Sequence, residues 1–357
     1  MKKTAPLKIG AIGCGGLAAG VHFPGIKRIP ELELVALCDI DKDRLALIAG
    51  QFGVNQTFAD FNEMLDECEL DGVSIIGPPS MHVMCAKVCL ERQIPFLVEK
   101  PVATTVEDAR ELMRLSEKYG DCGQVGFTSR FSPAQRLARR ISLLPEFGPI
   151  SDITTMHRTH CTMEPYWDIT DPKEAFINLH GVHGIDLWRF FGGDPVEVTT
   201  TASAYREVEG GYGARGSILV YVRTEDGPHG TIQMMAGAAH SGEITSDIGG
   251  ELTRVRVEND QHLKYESGIG WIKQVMDDDV LADQFLAEQP SGRYLETGLM
   301  AHSYFDFFRF EWIAFTRSLL SGKPLSPSVV DGCKSIILTE AICQSLREDG
   351  KPVKVEY

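Results

Sequence analysis

The stretch KIGAIGCGGLAAGVHFPGI, residues 8 to 26, constrains this chain more than any other. An apolar run of strand length breaks into glycines and resumes with helical spacing, the opening half of a parallel strand, helix, strand unit. The pattern recurs. Short apolar segments at 7–13, 32–39, 71–77, 95–98 and 123–127 read as strands buried on both faces, with helix-length amphipathic pieces between them. In VEDARELMRLSEKYG, Ala109, Leu112, Met113, Leu115 and Ser116 fall near one face, while Lys118 and Gly120 suit a helix C-terminus. The first third is therefore expected to form a doubly wound parallel sheet of the Rossmann type.

Beyond residue 127 the pattern changes. Between 150 and 257 the strand signals lengthen, as in SDITTMHRTH, VEVTTTASAYREV, RGSILVYVRTEDG and HGTIQMMAGAAH, separated by Gly, Pro and Asp turns as in an antiparallel meander. HGVHGIDLWRFFGG interrupts them with helical spacing and stops at a glycine pair. Helical stripes return in SYFDFFRFEWIAFTRSLLSG and VVDGCKSIILTEAICQSLREDG, and PVKVEY reads as a closing strand. At 357 residues the chain exceeds one ordinary core. Two domains are expected: an α/β Rossmann domain over 1–127, and an α+β domain over 128–357 built on an open, largely antiparallel sheet flanked by helices.

Charge narrows the partners. A net charge of -15 repels nucleic acid and anionic membrane surfaces, and no stretch approaches the roughly 18 apolar residues of a membrane span, so neither is expected as a partner. MKKTAPLKIG lacks the apolar segment of a secretory signal, and nine cysteines are scattered without a CxxC pair. A reducing, cytoplasmic setting is the expectation.

Gly13, Gly15 and Ala18 form GxGxxA directly after a predicted strand and before a predicted helix. Gly13 permits the tight turn, Gly15 lets the backbone approach a pyrophosphate, and Ala18 allows close helix to strand packing. The helix N-terminus then offers N–H groups and partial positive charge to the phosphates. Asp39 ends the next strand, 21 residues beyond Ala18, where a carboxylate can accept from the adenosine ribose hydroxyls; it could also cap the helix of DKDRLALIA. These features predict a bound dinucleotide, with Gly13, Gly15, Gly16, Leu17, Ala18, Asp39 and Ile40 around it. Asp39 would repel a 2′-phosphate, which favours NAD, while Lys42 and Arg44 leave room for NADP. Pro78, Pro79 and His82 follow the fourth predicted strand and Glu99 and Lys100 end the fifth, at the strand ends where ligands collect, so they are assigned to the same cofactor site.

With GCGGLA at 13 to 18, CDID at 38 to 41, GPPSMH at 77 to 82, VEKP at 98 to 101 and GVHGIDLWRFFGG at 181 to 193, the chain resembles the glucose-fructose oxidoreductase and inositol dehydrogenase family, Gfo/Idh/MocA. The resemblance runs over nearly the whole chain and includes the closing segment. It implies a Rossmann domain followed by an open mixed sheet that lines the substrate site and forms the oligomer interface, here of a homodimer or homotetramer. It implies an NAD(P)-dependent oxidoreductase that transfers a hydride between nicotinamide and a secondary alcohol or ketone of a sugar, cyclitol or related polyol. Lys100 matches the lysine that binds the reacting hydroxyl and the nicotinamide ribose, and His183 the histidine that accepts the hydroxyl proton. The chemistry agrees: an alcohol is too weak an acid to lose its proton unaided as hydride departs, and a lysine cation stabilises the developing charge.

One departure stands out. Many relatives carry Asp four residues before this histidine, where this chain has Leu179; His180 beside it is expected to bond the substrate or assist His183. Asp186 either orients the His183 ring or bridges structurally. Arg130 matches a basic position that faces substrate in the family, or forms an ordinary salt bridge. Tyr166 and Trp167, in EPYWD, either stack on a sugar ring or pack in the core. His180 and His183 with His157, His160 and Cys161 admit a metal reading, but no fixed ligand spacing links the two groups and no metal is expected. The stripe Phe305, Phe307, Phe308, Phe310 and Trp312 reads as core or interface. Other functions stay open: a reductase of a non-sugar carbonyl or imine, a redox-neutral lyase or glycosidase that retains its cofactor, or a catalytically silent cofactor-sensing regulator.

Overall fold

The computed structural model describes residues 4–203, 206–207, 213–238, 242–251, 253–267 and 304–357. They form two compact units, Met1–Thr128 with Ser303–Cys333, and Ser129–His302 with Lys334–Tyr357.

The first unit holds strands β1 (Leu7–Ile12), β2 (Leu32–Cys38), β3 (Gln56–Phe58), β4 (Gly72–Ile75), β5 (Phe96–Glu99) and β6 (Gly123–Gly126). They form one sheet in the order β3-β2-β1-β4-β5-β6, and every neighbouring pair is parallel. This is the doubly wound order, in which the chain reverses between β1 and β4 and ligands lie beyond the carboxyl ends of those strands. β3 carries no strand signal in the sequence, because this short edge strand is mostly exposed and has no apolar run. Helices α1 (Phe23–Lys27), α2 (Lys42–Phe52), α3 (Phe61–Glu67), α4 (Pro79–Arg92) and α5 (Val106–Tyr119) connect the strands. α5 begins where Thr105 Oγ1 accepts from the Asp108 N–H and ends at Gly120, at φ 100°; Ala109, Leu112, Leu115 and Ser116 are its buried residues. A further helix of this unit, Tyr304–Ser321, buries Phe307, Phe308, Phe310 and Trp312, while the Phe305 side chain lies outside the described residues.

The second unit contains α6 (Pro133–Ser142), β7 (Asp152–Arg158), α7 (Pro172–Phe176), α8 (Val182–Gly192), β8 (Glu197–Ala202), β9 (Arg206–Glu207), β10 (Ala214–Arg223), β11 (His229–Ala236), β12 (Glu243–Gly249), β13 (Thr253–Glu258), β14 (His262–Ser267) and β15 (Val353–Lys354). Its sheet runs β14-β13-β12-β7-β11-β10-β8-β15, with β9 paired to β10. The pairs are antiparallel except β7 with β11, which is parallel. The sheet is therefore mixed and not a plain meander: the chain leaves β7 through α7 and α8, a crossover long enough to return parallel, and β7 is enclosed between β11 and β12. The strands predicted over 196–208 and 229–240 fall in part on 204–205, 208 and 239–240, outside the described residues.

Side chains alternate across this sheet. Ile153, Thr155 and His157 of β7 are buried on the face that receives α8, where Thr155 Oγ1 donates to the Gly184 carbonyl (2.9 Å) and Trp188 Nε1 to the Ile153 carbonyl (3.3 Å). Gly181 has no room for a side chain, since an added Cβ would overlap the Met234 sulfur. Elsewhere in the sheet, Leu219 and Tyr221 of β10 are exposed.

Candidate active site

The glycine loop is built from short-range contacts. Gly13 takes φ 93°, and a Cβ there would overlap the Ile76 carbonyl oxygen, so the turn leaving β1 accepts only glycine. At Gly15 and Gly16 an added Cβ would meet nothing within 4 Å. Among the described residues no packing requires glycine at either position, whereas a pyrophosphate lying on the backbone would. Ala18 is fully buried in a π turn, Ala18–His22, and Leu17 and Ile40 are exposed at the rim. Asp39 is buried: its Oδ2 accepts from the Cys14 N–H (2.8 Å) and its Oδ1 from the Asp41 N–H (2.9 Å). The cap of α2 is Asp41, which accepts from the Arg44 N–H; the cap role considered for Asp39 belongs to its neighbour because the strand runs on as a loop for two residues. The Arg44 guanidinium lies 3.7 Å from Asp39 and 3.0 Å from Asp41. Burial pushes the thiols of Cys14 and Cys38 up to about 12, so neither is a nucleophile at neutral pH.

Pro78 and Pro79 start α4, and His82, one turn in, ties two loops together. The Gly77 N–H donates to His82 Nε2 (3.1 Å), so the proton sits on Nδ1, which donates to the Pro101 carbonyl (2.9 Å). Burial lowers its pKa and keeps it neutral. His82 thus links the segment after β4 to the segment after β5, with both ring nitrogens committed to backbone.

Lys100, half-buried, opens the segment after β5, next to a fully engaged Glu99. Glu99 Oε2 accepts from the Lys100 backbone N–H (3.0 Å), and Oε1 pairs with His22 Nε2 (3.1 Å). Trp312 Nε1 can only donate, so its 3.2 Å bond to His22 Nδ1 leaves the His22 proton on Nε2, facing Glu99. Burial alone would raise the Glu99 carboxyl, but the His22 bond and the Lys100 ammonium outweigh it and hold it below the usual range. Glu99 is therefore a buried carboxylate that fixes the backbone carrying Lys100. Nothing in the spacing singles out His22, and Trp312 stands only in a stripe of core or interface aromatics; they lie 77 and 213 positions from Glu99.

In the second unit, α8 follows a π turn, Ile177–Gly181, a widening often found where a helix serves a site. His183 is buried on α8, and the His157 ring meets it edge-on at 5.7 Å between centroids. His157 also lies 6.3 Å from the His180 ring, and its Nδ1 donates to the His180 carbonyl (2.7 Å). Phe176 backs His180 at 5.4 Å. His157 had entered the sequence reading only as a metal candidate; the inward register of β7 makes it the neighbour of both site histidines. His160 keeps company with Cys161, at 3.9 Å. Among the described residues, the His and acid group whose ligating atoms come within 4.8 Å of one another is His22, Glu99 and Glu311.

Asp186 and Arg130, two separate candidates in the sequence, are each other's partners. Arg130 Nε and Nη2 donate to Asp186 Oδ2 and Oδ1 at 2.6 and 2.7 Å, both residues buried, and Phe190 stacks 5.1 Å from the guanidinium. Ser335 Oγ adds a bond to Asp186, and Arg189 holds Ser335. Of the two readings of Asp186, the structural bridge is the one these bonds describe. Removing one partner of such a buried pair costs about 3–5 kcal/mol. Tyr166 and Trp167 form an edge-on pair at 4.6 Å on their loop and are both more than a third exposed, so they are not core residues.

Residues 7–127 match the family model for the oxidoreductase family with an NAD-binding Rossmann fold, GFO_IDH_MocA. The match spans about a third of the chain and describes an NAD-binding Rossmann fold. The chain is 25% identical over 353 residues to the inositol 2-dehydrogenase of Rubrobacter xylanophilus, covering 98% of this chain and 93% of that one. A myo-inositol dehydrogenase structure from Corynebacterium glutamicum shares the fold with a TM-score of 0.75 and 21% identity over 98% of this chain and 99% of that one. Levoglucosan dehydrogenase, in complex with NADH and levoglucosan, does so with a TM-score of 0.79 and 18% identity over 98% and 100%. Among the described residues no helix is long and apolar enough to cross a membrane.

Proposed function

We propose that this chain is an NAD-dependent dehydrogenase that transfers a hydride between nicotinamide and a secondary alcohol of a cyclitol or sugar-like polyol. The observation that carries the reading is Lys100, presented at the carboxyl end of β5 by a buried Glu99 carboxylate, in the same unit as a glycine loop open to a dinucleotide. The names of the relatives, inositol 2-dehydrogenase and levoglucosan dehydrogenase, supply the substrate class.

NAD, when bound, supplies the hydride acceptor. The open backbone at Gly15 and Gly16 and the π turn starting at Ala18 would hold its pyrophosphate, and Asp39, preset by the N–H groups of Cys14 and Asp41, would accept from the adenosine ribose. The Lys100 ammonium binds the reacting oxygen and stabilises its developing charge. His183 takes the hydroxyl proton, with His157 packed edge-on against its ring. Tyr166 and Trp167 offer exposed aromatic faces on which a ring of C–H groups can stack. The exposed Leu219 and Tyr221 of the second sheet support association of copies through that sheet.

The test is NADH formation with a panel of myo-inositol, levoglucosan and D-glucosides. Net NADH from at least one of them is expected. Conversion of a panel member without net NADH would replace this reading with redox-neutral chemistry, and no conversion at all would move the substrate class to non-sugar carbonyls or imines.

A further inference from the structure

Glu311 lies on the helix Tyr304–Ser321, fully buried, and neither of its carboxyl oxygens has a hydrogen-bond partner among the described residues. Its backbone is tied down, since the Gln124 Nε2 donates to the Glu311 carbonyl at 3.0 Å. The carboxyl reaches within 4.8 Å of Glu99 and of His22. An ionised carboxylate with no donor, buried beside a second carboxylate, would cost several kcal/mol; such a group keeps its proton instead.

We propose that His22, Glu99 and Glu311 form a buried cluster holding one carboxylate and one carboxylic acid behind Lys100, in which Glu311 is a positioning residue that sets the proton occupancy of the lysine. This rests on the reading that Lys100 serves the reaction.

Two cargoes suit a His and two acids at this spacing, a divalent cation or a proton. The Trp312 bond decides between them. A metal on His22 Nε2 needs the lone pair there and the proton on Nδ1, yet Nδ1 accepts from Trp312 and the proton is on Nε2, aimed at Glu99. The third member then keeps its own proton, and burial followed by the Glu99 charge pushes the Glu311 carboxyl well above the carboxylate range, against the opposing pull of Lys100. The charged and titratable groups near it are Glu99 at the end of β5, Lys100 just after it, His22 in the π turn and His82 beside Glu99; Asp306, Arg309 and Arg317 are the other charged residues of its own helix. While Glu311 is neutral, the cluster offers Lys100 one negative charge. When alkali removes that proton a second charge appears, and a negative charge beside an ammonium raises its pKa. Glu311 thereby resists loss of the Lys100 proton as pH rises.

The test reads Lys100 directly and needs no substrate. Competitive acetylation with acetic anhydride, followed by peptide mass spectrometry across a pH series, gives the midpoint at which Lys100 becomes a free amine in the full chain. In Glu311→Gln, which keeps the shape and removes the titration, the midpoint is expected to fall by roughly one pH unit. The infrared spectrum at neutral pH is expected to show a protonated-carboxyl stretch in the wild-type chain that Glu311→Gln lacks. Should that variant not fold, loss of the same band with rising pH is read in Asp260→Asn, which removes the other raised carboxyl. Absence of the band, an unmoved Lys100 midpoint, or a stoichiometric divalent metal in the purified chain overturns the proposal. If the band and the midpoint shift are found but Lys100→Met turns over normally, the cluster stands and the function proposed for Lys100 fails.

Discussion

The two candidate regions are built in opposite ways. At the glycine loop the partners lie within 25 positions of one another: Asp39 takes the N–H groups of Asp41, two residues on, and of Cys14, across 25, and His82 takes Gly77 and Pro101, 5 and 19 positions away. Around α8 the partners are remote. Arg130 meets Asp186 across 56 positions, and Ser335 meets it across 149. A site made of local turns is written in spacing and can be read from a motif; a site made of long-range pairs depends on strand register and helix phase. Lys100 belongs to both kinds, because its position in VEKP is local while the His22 and Trp312 that steady Glu99 come from elsewhere in the first unit.

The sharpest way to break this comparison is to remove the reacting group of each region. Lys100→Met is expected to lower kcat by roughly 10³-fold on the best polyol of the panel, the scale of losing a charge-stabilising donor. NAD affinity, followed by fluorescence titration, should stay within about tenfold, or 1.4 kcal/mol. His183→Ala should cost roughly 10²-fold, as for a general base, and a much smaller loss would pass that role to His180.

A smaller effect tests how the second unit holds its long-range bonds. Asp260 is fully buried, accepts from Ser129 Oγ (2.7 Å) and Gln135 Nε2 (2.8 Å), and burial outweighs these bonds to push its carboxyl up to about 7. Its folded pKa is thus raised above the unfolded value of about 3.9, so its contribution is full below that value and lost as pH rises towards 7. Urea unfolding should show stability falling across this window by up to about 1.4 kcal/mol per pH unit, and Asp260→Asn should flatten that slope. Parallel profiles for both chains would show Asp260 to be ionised throughout. The smallest expected change is at the local end of the comparison: Asp39→Ala should narrow the preference for NAD over NADP by about tenfold, the worth of a charged hydrogen bond to the ribose. An unchanged ratio of kcat/KM for the two coenzymes would remove the ribose from Asp39.

Legibility followed the same division. The strands of the first sheet were readable because both faces are buried, and only the exposed edge strand β3 escaped. In the second sheet β7, β8, β10, β11 and β15 were readable, β14 fell beyond the strand-rich stretch, and the parallel pairing of β7 with β11 was not readable, since alternation gives a strand its two faces and says nothing of its neighbour. Asp186 and Arg130 were each visible as polar residues in suggestive segments; that they neutralise one another became visible only when α8 was laid beside the turn carrying Arg130.

What the sequence by itself determined is the order of elements, the glycine turn and the residue types at its rim, because φ above zero, apolar periodicity and helix caps are local demands on the chain. What the tertiary structure alone decided is which charges and protons those residues carry. His22, Glu99 and Glu311 are ordinary residues along the chain, and they acquire a tautomer, a charge and a retained proton only where folding removes water and leaves each with the others as its surroundings.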